Sequence, residues 1–261
     1  MALRYRTMWI SDVHLGTKAS RAPELLKFLT SVHADKIYLV GDIVDLERMK
    51  WRPAFPDAHM AVVAELARQA ANGTEVIYIP GNHDHEFRQA AGTEVLGIPI
   101  VLEAMHTTPC GRRLLVAHGD ELDGRIRQGT NLEKFGAAAY FLLTEADILI
   151  NRFRRLLGQD YFSLSANIKQ RLASANQFIQ LFETVATEYA AERGFDGNVC
   201  GHIHRPCMRR IGEHLDLNDG DWVEHSTALT EADDGTLQIL NWRTGSVHVA
   251  LAGGTQELLA A

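Results

Sequence analysis

Short apolar segments separated by helical stretches constrain the fold of this chain more than any other feature. They are TMWIS at 7–11, KIYLV at 36–40, EVIYI at 75–79 and RLLVA at 113–117. Their length and their content of Ile, Val and Tyr are typical of buried strands. Helical stretches that begin at Pro23 and Asp57 lie between them. This alternation predicts a largely parallel sheet with crossover helices, and hence an α/β fold.

The second half of the sequence has a different organisation. Long helical periodicity runs from about Glu121 to Arg193, and strand-like runs then return at GNVCGHIH, DWVEHSTAL, TLQILNW and SVHVAL. The segments NDGD at 218–221 and DDG at 233–235 are turn signals. We therefore expect a single domain over residues 1–261 with a helical insertion at about 121–195. The β-rich C-terminal part is predicted to form a second sheet.

Composition narrows the class of protein. With 261 residues, of which 46% are hydrophobic, the chain can bury a large core. A net charge of -7 argues against a broad cationic surface, so no nucleic acid partner is expected. Three cysteines without regular spacing favour a reducing compartment. We find no signal-peptide pattern and no apolar run of about 18 residues, and so expect a cytoplasmic protein without an ordinary transmembrane helix.

Polar clusters follow each of the four predicted strands. They supply, in chain order, Asp12 and His14; Asp42 and Asp45; Asn82, His83 and Asp84; and His118 and Asp120. Because loops gather at the carboxyl edge of parallel strands, these side chains are predicted to converge. His202 and His204 in GHIH are two residues apart, so in an extended segment both would point to the same side. Each cluster alone is also explained by turn formation, but five in this order favour one site.

As a set, the motifs DxH, GDxxD, GNHD, a single His and GHxH resemble those of the calcineurin-like metallophosphoesterase superfamily. The resemblance extends from Asp12 to His204. It implies a β-sandwich flanked by helices in αββα layers, with the helical insertion as a lid. It also implies two divalent metal ions, the first held by Asp12, His14, Asp42 and His204, and the second by Asp42, Asn82, His118 and His202. Asp42 would then bridge both ions.

The donor set and the remaining histidine indicate the chemistry. Mixed imidazole, carboxylate and amide ligands suit Mn²⁺, Fe or Zn²⁺ rather than Ca²⁺, and Mn²⁺ is the ion we expect. Two cations about 4 Å apart clamp a phosphoryl group and generate a bridging hydroxide for attack on phosphorus. The resemblance implies that His83 binds no metal but acts on the leaving group, oriented by Asp45. A structural turn role is the alternative for His83.

The substrate is predicted from a closer similarity. The layout, the GHIHRP sequence and the helical insertion are most similar to the UDP-2,3-diacylglucosamine pyrophosphatase branch. This implies a phosphorylated, nucleotide-linked lipid substrate and peripheral contact with the inner membrane. That branch carries Arg where this chain has His83, so a paralogous phosphodiesterase or phosphatase acting on another nucleotide or lipid phosphoester is an alternative. A nuclease and a non-catalytic scaffold are further alternatives.

Three arginines in the insertion are candidate substrate-binding residues. Arg152, Arg154 and Arg155 are concentrated in NRFRRLLG, within an otherwise acidic chain. Such a patch suits phosphate groups or anionic lipid headgroups. A solvated helix face is the alternative interpretation.

Overall fold

The structure, a computed structural model, describes residues 3–51, 53–129, 165–251 and 258–260. The helices are α1 (Ala22–Ser31), α2 (Leu46–Trp51), α3 (Asp57–Ala71), α4 (Asp123–Gly129) and α5 (Ser165–Glu192), with short 3₁₀ segments at His85–Ala90 and Asp120–Leu122. The strands are β1 (Leu3–Ile10), β2 (Val32–Val40), β3 (Glu75–Ile79), β4 (Glu94–Val95), β5 (Ile98–Pro99), β6 (Ala104–Thr107), β7 (Arg113–Val116), β8 (Gly197–Cys200), β9 (Cys207–Ile211), β10 (His214–Asn218), β11 (Thr227–Glu231), β12 (Leu237–Asn241), β13 (Ser246–Leu251) and β14 (Leu258–Ala260).

The chain divides into two compact units. One comprises residues 1–120 and 186–261, and the other comprises residues 121–185. The first unit contains both large sheets. The second contains α4 and most of α5 among the described residues. Within the described part of the chain, no helix is both long and apolar enough to cross a membrane.

The larger sheet has the strand order β14-β13-β12-β11-β1-β2-β3. Strands β1, β2 and β3 are parallel because α1 and α3 provide the crossovers between them. The C-terminal ends of these strands are buried on both faces, which explains the apolar runs with which they end. Met8 and Ile10 face the helices, where they join a core with Phe28 of α1 and Leu66 of α3.

The smaller sheet has the order β6-β7-β8-β10-β9 and packs against the larger one through a shared apolar core. Trp9 of β1 belongs to the core between the two sheets, together with Val116 and Val199. Outside the smaller sheet, Thr187 near the end of α5 donates from its hydroxyl to Asn198 Oδ1 of β8 at 3.5 Å. Helices therefore flank both sheets, and the predicted αββα sandwich is confirmed.

Two details of the topology differ from the sequence prediction. The C-terminal strands β11 to β14 do not form the second sheet but extend the first one antiparallel to β1. Strand β7, expected in the same parallel sheet as β1, β2 and β3, lies in the smaller sheet. Met8 of β1 lies opposite Thr230 of β11, about two hundred residues further along the chain. The local apolar pattern does not predict such a pairing. The polar clusters consequently reach a common region from the ends of strands in both sheets.

Candidate metal centre

A left-handed backbone presents most of the predicted ligands. Positive φ angles of 50 to 68° occur at Asp12, His14, Asp42, His202 and His204. This region is costly for residues other than glycine and is concentrated at functional sites. The prediction of an extended GHIH segment is wrong, because β8 ends at Cys200. His202 and His204 converge through these backbone conformations rather than through strand alternation.

The first group of donor atoms belongs to Asp12, His14 and His204. Asp12 Oδ1 lies 3.0 Å from His204 Nε2 and 3.9 Å from His14 Nε2. The two imidazole Nε2 atoms are 3.4 Å apart. All three side chains thus direct a donor atom to the same small volume.

The second group contains Asp12, Asp42 and His118. His118 Nδ1 donates to the carbonyl oxygen of Val40 at 2.8 Å, which directs Nε2 inward. His118 Nε2 lies 3.5 Å from Asp42 Oδ2. The ring of His202 lies edge-on to that of His118, with centroids 5.3 Å apart.

Asp12 belongs to both groups, and the carboxylate of Asp42 lies near a histidine of each. Its Oδ2 atom lies 3.9 Å from His14 Nε2 in the first group and 3.5 Å from His118 Nε2 in the second. Its Oδ1 atom accepts a hydrogen bond from the backbone N–H of His83 at 2.8 Å. One oxygen is therefore fixed by the protein while the other faces both groups.

The electrostatics of this cluster follow from two buried carboxylates surrounded by imidazoles. Burial alone would raise the pKa of Asp12, but His204, His118 and His14 outweigh it and hold that pKa far below 3.8. Burial opposes ionisation of Asp42 as well, yet His118 above all keeps its pKa low. In return, burial lowers the pKa of His204, but Asp12 more than compensates and raises it to about 9. The negative charges of Asp12 and Asp42 thus favour positive charge in the site.

His83 and Asp45 lie beside this cluster. Asp45 Oδ1 is 3.2 Å from His83 Nδ1, and Asp45 Oδ2 is 3.2 Å from His14 Nδ1. Burial lowers the pKa of His83, but the carboxylates of Asp45 and Asp42 outweigh it and the pKa is raised above 6.5. The side chain of His83 is 21% exposed, and its Nε2 lies 4.0 Å from Asp42 Oδ2. The His83 imidazole is therefore partly exposed to solvent at the border of the cluster, and the neighbouring carboxylates favour its protonated form.

Asp84 ties the loops of the centre together. Its carboxylate accepts hydrogen bonds from Tyr78 Oη at 2.5 Å, Gly81 N at 2.6 Å and Ile43 N at 2.8 Å. These donors belong to β3, the loop after β3 and the loop after β2. Asp120 similarly accepts from Arg88 Nη2 at 2.6 Å. Both aspartates fix loop positions.

Some residues near the centre carry no obvious sequence signal. Ser11 Oγ lies 2.6 Å from Asp12 Oδ2 and 2.6 Å from Asp219 Oδ1. Asp219 belongs to NDGD, which reads as a turn signal alone, and its complete burial becomes evident only in the fold. The predicted substrate-binding residues Arg152, Arg154 and Arg155 lie outside the described residues.

The donor set fits a divalent cation. Among the described residues, Asn82 Oδ1 and His118 Nε2 are buried without a hydrogen-bond partner. Buried polar atoms of this kind normally have one. Two carboxylates, several imidazoles and an amide oxygen are suitable ligands for transition-metal ions. The described side chains therefore form a candidate site for divalent metal ions.

Comparison with known proteins gives the family. The family described as calcineurin-like phosphoesterase matches residues 5–206. The chain belongs to this family and is a phosphoester hydrolase, and its family implies divalent metal ions.

The individual proteins to which this chain is similar have low sequence identity to it. The chain is 28% identical to a UDP-2,3-diacylglucosamine hydrolase of Chromohalobacter salexigens, over 78% of this chain and 82% of the relative. It is 22% identical to one of Shewanella loihica, over 85% and 91% of the two chains. Among solved structures, a Vps29 mutant of Entamoeba histolytica aligns over 98% of this chain and 98% of its own, with 13% identity and a TM-score of 0.45.

Proposed function

We propose that this protein hydrolyses a phosphodiester or pyrophosphate bond with two divalent metal ions, Mn²⁺ being the expected ion. Asp12, His14, Asp42 and His204 would hold one ion, and Asp42, Asn82, His118 and His202 the other. The observation that carries the proposal is the position of Asp42 Oδ2, 3.9 Å from His14 Nε2 and 3.5 Å from His118 Nε2. A carboxylate in this position can serve both groups.

The protein residues have distinct tasks in this reaction. When bound, the ions polarise the phosphoryl oxygens and lower the pKa of water. His83 donates its Nε2 proton to the leaving oxygen, since Asp45 and Asp42 raise the pKa of the imidazole and so favour its protonated form. Asp45 orients His83 through Nδ1. The hydrogen bond from His83 N keeps Asp42 Oδ1 in place.

The proposed substrate is a nucleotide-linked lipid similar to UDP-2,3-diacylglucosamine. The names of the relatives from Chromohalobacter salexigens and Shewanella loihica support it. In this proposal the single domain acts in the cytoplasm at the inner membrane surface. Its helical insertion, with Arg152, Arg154 and Arg155, covers the substrate.

His83 favours a second candidate. The UDP-2,3-diacylglucosamine pyrophosphatase branch that the sequence resembles has Arg at this position. His83 here lies 3.2 Å from Asp45 in an arrangement suited to proton donation. Hydrolysis of an alkyl phosphodiester releases an alkoxide, which needs a proton to leave. Hydrolysis of a pyrophosphate releases a phosphate group, which does not. The alternative function is therefore a paralogous phosphodiesterase or phosphatase for another nucleotide or lipid phosphoester.

The reaction class is tested with bis-p-nitrophenyl phosphate. We expect hydrolysis that depends on added Mn²⁺ and is abolished in Asp42→Asn. Asp35→Asn is the matched control, since Asp35 pairs with Arg4 at an exposed position. Unchanged activity in Asp42→Asn would remove the proposed bridging ligand.

The substrate is tested by comparing UDP-2,3-diacylglucosamine with soluble nucleotide pyrophosphates, phosphodiesters and phosphomonoesters. Preferential turnover of the acylated compound supports the lipid proposal, and preferential turnover of a phosphodiester supports the alternative. Cleavage of soluble monoesters alone would reject the lipid substrate.

A further inference from the structure

The hydroxyl of Ser11 is surrounded by three oxygen atoms. Asp12 Oδ2 and Asp219 Oδ1 each lie 2.6 Å from Ser11 Oγ, and the carbonyl oxygen of Gly220 lies 3.1 Å away. A serine hydroxyl has one proton to donate. Each of the two 2.6 Å contacts between Ser11 Oγ and a carboxyl oxygen requires a proton between its two oxygen atoms. One of the two carboxyl groups must therefore supply the second proton.

The surroundings decide which carboxyl group is protonated. Asp12 Oδ2 also accepts from the backbone N–H of His202 at 2.9 Å, and Asp12 Oδ1 lies 3.0 Å from His204 Nε2. These groups stabilise a negative charge on Asp12. Asp219 is fully buried, and its Oδ2 has no hydrogen-bond partner among the described residues. Burial first, and then the charge of Asp12, raise the pKa of Asp219 well above 3.8.

We infer that Asp219 is a neutral carboxylic acid that donates to Ser11 Oγ, so that Ser11 donates in turn to Asp12 Oδ2 and positions that ligand. Hydrogen bonds from Ser11 and His202 N occupy Asp12 Oδ2, so that Oδ1 would be the atom left to bind a cation. A neutral acid achieves this without a third negative charge beside Asp12 and Asp42. The effect on metal binding rests on the proposed function, whereas the protonation of Asp219 does not.

The loop that carries Asp219 is held by other contacts. Thr227 Oγ1 donates to the carbonyl oxygen of Asp219 at 2.8 Å, and Asn218 Oδ1 accepts from Gly220 N at 3.0 Å. Asn218 Nδ2 also donates to the carbonyl oxygen of Gly201 at 2.7 Å. Substitution of the Asp219 side chain therefore leaves the loop contacts in place.

Two measurements test this inference on the full chain. Infrared spectra of metal-free protein with isotope-labelled aspartate, at neutral pH, should contain a protonated carboxyl band that is absent in Asp219→Asn. Calorimetric titration with Mn²⁺ should give nearly unchanged affinity in Asp219→Asn, because its amide N–H still donates to Ser11. Asp219→Ala and Ser11→Ala should each bind Mn²⁺ about 10- to 100-fold more weakly, the usual effect of losing a partner of a metal ligand.

A double variant separates this role from a general structural one. If Asp219 acts through Ser11, Asp219→Ala should have little further effect on Mn²⁺ affinity in the Ser11→Ala background. Equal loss of affinity in Asp219→Asn and Asp219→Ala, or an infrared band that persists in Asp219→Asn, would overturn the inference. If the wild-type chain binds no Mn²⁺, the proposed function fails, and the infrared result still decides the state of Asp219.

Discussion

Gly81 leaves no room for a side chain beside the candidate centre. A Cβ atom there would overlap Asp42 Oδ1 and lie 2.6 to 2.7 Å from Cδ2 and Nε2 of His118. We predict that Gly81→Ala displaces both ligands and lowers Mn²⁺ affinity at least about 10-fold, as measured by calorimetry. Gly124→Ala is the control, because a Cβ there would meet no atom of the described residues within 4 Å. Equal affinities in the two variants would show that the ligands tolerate the displacement.

His83 gives a second prediction at the residue scale. If it protonates the leaving oxygen, His83→Asn should slow hydrolysis of alkyl phosphodiesters by about 10²- to 10⁴-fold. Esters of p-nitrophenol should be affected much less, because p-nitrophenolate leaves without a proton. Bound metal, measured by elemental analysis, should not change. The exposed neighbour His85, changed to Asn, is the control, and equal losses on both substrate types would argue against the role.

Single residues also mark the limit of sequence prediction. Residue types and motif order predicted that Asp12, His14 and Asp42 would lie together, because polar residues after strands share a sheet edge. The left-handed backbone at these positions was not predictable, since it depends on contacts such as Asp12 N to the Gly41 carbonyl at 3.1 Å. The burial of Asp219 requires the whole fold.

At the scale of elements, α3 is fixed to the loop after β1 by a histidine. His59 Nδ1 accepts a hydrogen bond from Gly16 N at 2.8 Å, and burial lowers the pKa of His59 below 6.5. The unfolded chain therefore binds this proton more readily than the folded chain. The stability contributed by neutral His59 is present above pH 6.5 and is lost as the pH falls below it.

We predict that His59→Asn makes stability less dependent on pH. Asn keeps an acceptor for Gly16 N but cannot titrate. In urea unfolding of metal-free protein, the wild type should lose more stability than the variant between about pH 7.5 and about pH 5.5. The same loss in both proteins would contradict the assignment.

Elements with strong local patterns were predictable. The strands β1, β2 and β3 and the helix α3 all occur where apolar runs and helical periodicity predicted them. The hairpin of β9 and β10 was missed, because CMRRI and HLDLN mix charged and apolar residues without regular alternation. Its pairing with β8 is a tertiary effect.

At the scale of the whole molecule, ligands from distant parts of the chain couple metal binding to folding. His204 Nε2 lies 3.0 Å from Asp12 Oδ1 although the two residues are at opposite ends of the matched region, at positions 12 and 204 of the sequence. A cation bound between them should stabilise the folded state, by about 2.7 kcal/mol when its concentration is 100-fold above the dissociation constant. We predict that Mn²⁺ raises the melting temperature of the wild type by several degrees, measured by calorimetry.

The variant Asp42→Asn provides the contrast for that shift. It should show a clearly smaller increase in melting temperature, because both proposed ions would lose the carboxylate they share. An equal increase in the two proteins would place the stabilising ion elsewhere.

The layer architecture was predictable from the sequence, but the division of strands between sheets was not. Alternation of strands and helices indicated the parallel β1-β2-β3 core. Strand β11 pairs antiparallel with β1, on the side of β1 that β2 does not occupy. This choice of edge depends on the tertiary structure, and no local sequence pattern predicts it.

Anomalous diffraction from crystals soaked with Mn²⁺ tests the shared carboxylate most directly. Two manganese peaks about 4 Å apart, both in contact with Asp42, are the predicted result. A single peak, or ions bound away from Asp42, would contradict it.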